Sequence, residues 1–197
     1  MADLTVYIDF KSPYAYLAIE PTRRLAHELG VSINWLPFVL DIPSYLGSAK
    51  LDKSGAVKEQ SRSKDQWSGV KYAYYDCRRY ANLRGLTIRG TEKIWDSSLA
   101  AIGMLWAKQQ GDEVMHAYLD GVYAPFWKRE LNIEDIEIIQ TVLLEAGANV
   151  EGFADYVNQE GATRNQQIQE SAFDMGVFGV PTYCLDGDLY FGREHLP

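Results

Sequence analysis

The residues best suited to chemistry lie between positions 4 and 17, LTVYIDFKSPYAYL, where a strand pattern changes to a helix pattern at Ser12. Alternating apolar residues up to Phe10 predict a strand. Ser12 followed by Pro13 is typical of a helix start, because the Ser oxygen accepts from unpaired amides and Pro needs no N–H there. Anions and thiolates bind at such positive helix ends. Ser12 is therefore either a plain helix cap or a residue that holds an anion.

A second candidate position is Val180-Pro181-Thr182, at the entry to another predicted strand. Pro cannot donate to a sheet ladder, so its place here indicates either a cis peptide bond, an edge strand or an ordinary trans Pro at a strand start. A cis bond leaves the main-chain groups of Val180 pointing outward. Those groups can then pair with an extended peptide as if it were a further strand.

The elements that position these two stretches follow from the periodicity. The first helix ends at Gly30, and alternation over 31–35 predicts a second strand, parallel to the first because a helix connects them. Near the other end, two β runs around Asp186-Gly187 predict a hairpin. The order βαβ, helical block, ββ predicts an α/β fold whose sheet is interrupted by a helical insertion.

Helix starts within the block are predicted from capping residues. Asn132 with Asp135 predicts the start of one helix. Thr163 with Gln166 predicts a capping box for the last helix.

We therefore expect a sheet domain formed by 1–40 and 177–197, a helical insertion at 56–176 and a connecting loop at 41–55. A sheet of this size usually packs a helix on its other face. Since none follows, we expect that a C-terminal helix is missing after Pro197.

Composition limits the possible partners. A net charge of -8 argues against nucleic acid and anionic membranes, and no apolar run approaches a membrane span. The N-terminus has no leader pattern, and Cys77 and Cys184 form no CxxC motif, which predicts a reduced, cytoplasmic protein. His27, His116 and His195 lack the spacing of metal ligands, so no metal site is predicted.

The strand–SPYA–helix unit and the GVPT segment together resemble the thioredoxin fold with a helical insertion. Ser12 and Ala15 stand where the disulfide oxidoreductases of that fold carry the two cysteines of CxxC. Disulfide exchange needs a thiolate, so that redox chemistry is excluded here.

The sequence is more specifically similar to the kappa-class glutathione transferases and the bacterial 2-hydroxychromene-2-carboxylate isomerases, a family of the DsbA-like thioredoxin superfamily. The motifs that carry this similarity are YIDFKSPYAYL, Lys71-Tyr72 through Asp76, Trp127 followed by Asp135-Ile136, Arg164-Asn165-Gln166, GVFGVP before Thr182, and Phe191-Gly192.

The resemblance implies a glutathione site. Ser12 would donate to the glutathione sulfur, and Val180, beside a cis Pro181, would pair with the cysteinyl part. Arg193 and Glu194 would hold the γ-glutamyl end, where the family usually has Asp instead of Glu.

The family also supplies an Asn, and often a Lys, from the loop after the second strand. This chain offers Lys50 and Lys53 but no Asn over 38–55. Glutathione would then be held differently, more weakly or not at all.

The function implied is a glutathione-dependent isomerase of an aromatic-catabolism intermediate, acting on a small aromatic or ketoacid substrate as a homodimer. A kappa-like glutathione transferase and a non-catalytic DsbA-like binding protein are the alternatives.

Other residues have a structural and a functional interpretation. Trp67, Tyr74 and Trp127 either line a substrate cavity or pack in the core. Cys77 and Cys184 are expected to be small buried hydrophobes. The carboxylates at 134, 135 and 137 are expected to charge the first turn of a helix.

Overall fold

The computed structural model describes residues 3–52 and 54–196, apart from the side chain of Asp3; Lys53 lies outside the described residues. The strands are β1 (Asp3–Ile8), β2 (Ser32–Pro37), β3 (Ala49–Leu51), β4 (Val57–Gln60), β5 (Thr182–Leu185) and β6 (Asp188–Phe191). The helices are α1 (Pro13–Leu29), α2 (Ile42–Leu46), α3 (Lys64–Leu83), α4 (Ser98–Lys108), α5 (Asp112–Trp127), α6 (Ile136–Glu145), α7 (Phe153–Asn158) and α8 (Glu160–Asp174), with a 3-10 turn at Arg193–His195. None of these helices has an apolar stretch long enough to cross a bilayer.

Four strands form one sheet in the order β2-β1-β5-β6. β1 and β2 are parallel, as predicted, with Val6 opposite Trp35. β5 runs antiparallel to β1, with Tyr7 opposite Thr182, and β6 runs antiparallel to β5. The predicted hairpin at Asp186-Gly187 is confirmed, and both turn residues have positive φ (51° and 90°), a conformation that Asp-Gly adopts readily.

Helix α1 continues through Pro21. Because Pro has no N–H, the carbonyl of Leu17 lacks its usual helical donor. Arg84, just after α3, donates its guanidinium Nη1 to that carbonyl. Gly30 ends the helix with a φ of 67°, as predicted, because the left-handed conformation at a helix end favours glycine.

Helix α4 lies at the centre of the helical block and contacts α5, α6, α7, α8 and β2. It is buried nearly all round. A Cβ on its Gly103 would lie 2.2 Å from the Tyr118 hydroxyl of α5, and that hydroxyl donates to the Ala100 carbonyl at 2.9 Å. The absence of a side chain at Gly103 thus lets the two helices pack closely. Since α4 also contacts β2, the block and the sheet share one hydrophobic core.

The segment 41–55 is not the plain loop that the sequence predicted. It contains α2 and β3, and β3 pairs antiparallel with β4. A five-residue helix and a three-residue strand are too short to show a clear hydrophobic period, which explains the error.

One of the two predicted helix starts is confirmed and the other is wrong. Asp135 caps α6, and its carboxylate accepts from the Glu137 N–H at 3.0 Å. Thr163 caps nothing, because α8 begins three residues earlier and the Thr163 hydroxyl donates to the Gln159 carbonyl at 3.1 Å.

A capping box that the sequence analysis missed opens α3. The Gln66 N–H donates to the Ser63 hydroxyl at 3.2 Å, and the Ser63 N–H donates to the Gln66 side-chain oxygen at 2.9 Å. The spacing is the one expected of a capping box, so the signal was present.

Replacing Ser63 by Ala should lower the free energy of unfolding by about 1 kcal/mol, because it removes a cap acceptor. Thr163→Ala is the matched control and should change stability by less than about 0.5 kcal/mol, since Thr163 is exposed inside a helix. Urea denaturation of both variants measures the difference. A larger loss at Thr163 than at Ser63 would contradict the assigned helix starts.

Candidate active site

Ser12 lies at the turn between β1 and α1. Its N–H donates to the Asp9 carbonyl at 3.0 Å. Its hydroxyl oxygen accepts from the Ala15 N–H at 3.2 Å, so the predicted helix cap is confirmed. The same hydroxyl donates to the Val180 carbonyl at 3.5 Å, and Ser12 is only 5% exposed.

The contact between Ser12 and Val180 joins two positions that are 168 residues apart in the chain. The Val180–Pro181 peptide bond is cis. The Pro181 carbonyl accepts from the Gly192 N–H at 2.9 Å, which ties the loop to the end of β6. The two stretches singled out in the sequence therefore lie together.

Arg193 and Glu194 lie on the 3-10 turn that follows Gly192. The Arg193 guanidinium stacks 3.5 Å above the ring centre of Tyr80 on α3. Glu194 is exposed. Within the described residues neither side chain hydrogen-bonds to Ser12, and a main-chain bond from Gly192 to Pro181 joins the turn to the loop.

Close to Ser12 in the chain, the carboxylate of Asp9 accepts three hydrogen bonds and forms one ion pair. Its Oδ1 accepts from the Ser97 hydroxyl at 2.5 Å and from the Lys11 N–H at 3.1 Å. Its Oδ2 accepts from the Leu40 N–H at 2.8 Å and lies 3.4 Å from the Lys11 ammonium. Asp9 is 3% and Lys11 7% exposed, and charges this deeply buried are tolerated only when paired.

A further bond closes this network into a ring. The Lys11 ammonium donates to the Ser97 hydroxyl at 3.1 Å, while Ser97 in turn donates to Asp9. The Tyr123 hydroxyl of α5 donates to the Asp9 main-chain carbonyl at 3.1 Å. Sequence analysis missed the network, because its only local signal was a lysine directly after an apolar strand.

Cys77 packs beside the start of α1. The Tyr14 hydroxyl donates to Asp76 at 3.1 Å. Burial raises the pKa of Cys77 to about 12, and burial, together with the neighbouring Cys77 and Asp76, raises the pKa of Tyr14 above its usual range. Cys77 is fully buried, as predicted, and holds almost no thiolate at neutral pH, so it does not replace the missing CxxC thiols.

The aromatic candidates divide between core and surface. Trp127 is completely buried, which favours the core interpretation, and its indole N–H has no partner within the described part of the chain. Its ring centre lies 6.4 Å from that of Tyr74. Trp67 is half-buried and donates to the Gln60 side chain at 2.6 Å, so it packs against β4.

Two further polar candidates, Lys50 and Glu134, have contacts with residues other than Ser12. Lys50 is exposed on β3, opposite Glu59 of β4. The Glu134 carboxylate accepts from the Asp96 N–H at 2.8 Å and pairs with Lys93, so it anchors the loop before α4. Over residues 3–52 and 54–196, no three His, Cys, Asp or Glu side chains are grouped as metal ligands would be.

Two cavities lie away from the candidate site. One of about 460 Å³ is lined by Tyr16, Arg23 and Arg84 among others. Another of about 290 Å³ is lined by apolar residues together with Tyr183 and His195. Neither is lined by Ser12 or Val180, so we place the candidate site by its hydrogen-bonding groups and not by cavity size.

Similar proteins were found in three comparisons. The DSBA-like thioredoxin domain model matches residues 3–197. The 2-hydroxychromene-2-carboxylate isomerase of Pseudomonas putida is 26% identical over 192 residues, which cover 96% of this chain and 88% of that protein.

Two solved structures have the same fold. A 2-hydroxychromene-2-carboxylate isomerase matches with a TM-score of 0.72 and 22% identity, over 98% of this chain and 90% of that one. The cytosolic disulfide reductase DsbM from Pseudomonas aeruginosa, in a structure with GSH, matches with a TM-score of 0.63 and 18% identity, over 95% and 88% of the two chains.

The sheet order, the cis-proline loop facing a helix start and the helical block define a thioredoxin-like fold with a helical insertion, which confirms the predicted fold class. The chain belongs to the DSBA-like thioredoxin domain family.

Native Cys77 should react with iodoacetamide at least about a thousandfold more slowly than an unperturbed thiol. Its raised pKa lowers the thiolate fraction about a thousandfold, and burial also blocks access to the sulfur. Mass spectrometry of a Cys184→Ala variant isolates the reaction at Cys77. In urea the same thiol should react at the normal rate. Equal rates in the native and unfolded protein would contradict the proposed burial of this thiol.

Proposed function

We propose that the protein is a glutathione-dependent isomerase of an aromatic-catabolism intermediate of the 2-hydroxychromene-2-carboxylate type. The observation that carries the proposal is the Ser12 hydroxyl, at the start of the 17-residue helix α1 and 3.5 Å from the Val180 carbonyl beside Pro181. The name of the Pseudomonas putida relative supports the reaction class, and DsbM with GSH supports the ligand.

The hydrogen bonds around Ser12 are compatible with a sulfur anion. Hydroxyl-to-oxygen bonds usually measure about 2.7–2.8 Å, so the 3.5 Å contact with Val180 is long and weak. A thiolate placed near the start of α1 would accept from this hydroxyl more strongly than the carbonyl does. Ser12 can still cap α1, because its oxygen accepts from Ala15 through a separate lone pair.

The main chain of Val180 is proposed to pair with the cysteinyl part of glutathione beside Pro181. Arg193 and Glu194 are proposed to contact the γ-glutamyl end. Support comes from the bond between Gly192 and Pro181, which brings their turn next to this loop.

The interactions available are large enough to ionise a bound thiol. Glutathione's thiol has a pKa of about 8.5, and lowering it by two units needs about 2.7 kcal/mol of preference for the anion. One hydrogen bond to a charged group contributes about 1.5–3 kcal/mol. The end of α1 adds up to about 1 kcal/mol, so no cationic side chain is required.

Bound glutathione would supply a thiolate that adds reversibly to the conjugated double bond of the substrate and leaves again after the bond has rotated. The one task of Ser12 is then to donate a hydrogen bond from its hydroxyl to the sulfur, without transferring its proton. Cys77 takes no part in this reaction, since it is buried with a raised pKa.

Two alternatives differ in what happens to the ligand. If the thiolate stays attached to an electrophile, the same site is a glutathione transferase. A non-catalytic binding protein is favoured by the absence of Asn over 38–55, by the exposed Lys50 and by Glu in place of Asp at 194. Calorimetry with glutathione distinguishes the binding protein from the isomerase and the transferase. A folded protein that does not bind glutathione is neither of these two enzymes.

We further propose that the protein works in the cytoplasm as a homodimer. Both cysteines are free, which suits a reducing compartment. The dimer rests on family resemblance, and analytical ultracentrifugation tests it.

Replacing Ser12 by Ala should raise the thiol pKa of bound glutathione by about one to two units, because a hydrogen-bond donor to the sulfur is lost. At a pH below the pKa, this leaves about tenfold to a hundredfold less thiolate. Ultraviolet thiolate absorbance during a pH titration measures it. Ser171→Ala, on the exposed surface of α8, is the control and should leave the pKa unchanged.

Ser12→Asp separates the thiolate role from the capping role. Asp also caps helices, so this variant should keep more of the stability than Ala does. Its negative charge would repel the sulfur, so it should raise the thiol pKa further than Ala does. If neither variant shifts the thiol pKa, Ser12 is a cap only and the proposed mechanism is wrong.

A further inference from the structure

Lys11 stands directly before Ser12 and is nearly inaccessible. Its side chain is 5% exposed and that of Asp9 is 1% exposed. A lysine so placed cannot act as a solvated surface charge. Its ammonium is committed to Asp9 at 3.4 Å and to the Ser97 hydroxyl at 3.1 Å.

These contacts hold three separate parts of the chain together. Asp9 follows β1, Ser97 directly precedes α4, and Leu40 follows β2. The bonds from Ser97 and from Leu40 to the Asp9 carboxylate measure 2.5 and 2.8 Å. The ring therefore joins the sheet to the helical block directly behind the Ser12 turn.

The same ring constrains the main chain at Ser12. The Lys11 N–H donates to the Asp9 carboxylate at 3.1 Å, and the Ser12 N–H donates to the Asp9 carbonyl at 3.0 Å. If the carboxylate moves, the turn that ends in Ser12 loses one of its two bonds. A shift of about 1 Å in a positioned group is enough to cost roughly a hundredfold in rate.

We propose that Lys11 is a positioning residue for the Ser12 site, which it serves by closing the Asp9–Lys11–Ser97 ring and so fixing the Ser12 hydroxyl relative to Val180. The part of this proposal that concerns a bound sulfur rests on the proposed function. Lys11 does not touch the ligand in this account, because both of its partners are within the protein.

The chain offers a matched control at the other end of α4. Lys108 is also partly buried, and its ammonium donates to the Trp35 carbonyl at 2.8 Å and to the side chain of Asn34. Lys108→Met therefore removes a buried lysine that also joins α4 to the sheet, but away from Ser12. A merely structural loss should look the same in Lys108→Met and Lys11→Met.

Three variants test the proposal in the full chain: Lys11→Met, Ser97→Ala and Lys108→Met. Lys11→Met should raise the thiol pKa of bound glutathione by about one unit, a tenfold loss of thiolate, while Lys108→Met should leave it unchanged. Ser97→Ala keeps both charges and breaks only the bridge, so a shift in the same direction shows that geometry and not net charge is responsible. If Lys11→Met does not fold, Ser97→Ala alone tests the effect of the ring on the thiol pKa.

Hydrogen exchange gives a readout that needs no ligand. The Ser12 amide should exchange about tenfold or more faster in Lys11→Met than in Lys108→Met, after correction for global stability, since a buried ionic bond behind the turn is lost. If the wild type does not bind glutathione, the proposed function is wrong. Hydrogen exchange of the Ser12 amide then tests by itself whether Lys11 positions the Ser12 turn. An unchanged Ser12 amide in both Lys11→Met and Ser97→Ala would overturn the proposal, as would equal thiol pKa shifts in the two lysine variants.

Discussion

The buried carboxylate of Asp9 imposes the strictest requirement on this structure, because an unpaired charge in the interior costs several kcal/mol. It meets that requirement with donors from Lys11, Ser97 and Leu40. Each donor comes from a different part of the chain. The end of β1, the segment after β2 and the start of α4 therefore have to meet at one point, and Ser12 follows directly from that point.

This arrangement makes the helical block a support for the Ser12 turn. Ser97 and Tyr123 belong to the inserted block, yet both donate to Asp9 of the sheet, to its carboxylate and its carbonyl respectively. Between them α4 and α5 pack closely around Gly103. The orientation of the Ser12 turn thus depends on two residues that lie 88 and 114 positions after Asp9 in the chain.

Short sequence motifs predicted those structural features that depend on neighbouring residues alone. The Ser12 cap, the glycine at position 30 and the Asp-Gly hairpin were readable because each is decided by the conformational preferences of one or two residues. The Ser12–Val180 contact was predictable only through family resemblance, since nothing within either stretch specifies a partner 168 positions away. The only local signal for the Asp9–Lys11–Ser97 ring was a lysine directly after an apolar strand, which does not identify Ser97 as a partner. The error at 41–55 has another cause, because α2 and β3 are too short to show a clear hydrophobic period. At Thr163 the capping motif lies inside α8, so the motif alone did not locate the helix start.

The surroundings of the Ser12 hydroxyl also bear on the proposed source of a sulfur. Cys77 packs against Tyr14 in the first turn of α1, where burial raises its pKa and keeps the thiol protonated. Ser12 keeps the cap and the helix end that would stabilise a thiolate, while Ala15 leaves no second sulfur to form a disulfide with it. Under the proposed function, the thiol at this site would therefore come from a bound ligand. That is the physical reason for preferring a glutathione-dependent reaction to disulfide exchange on this scaffold.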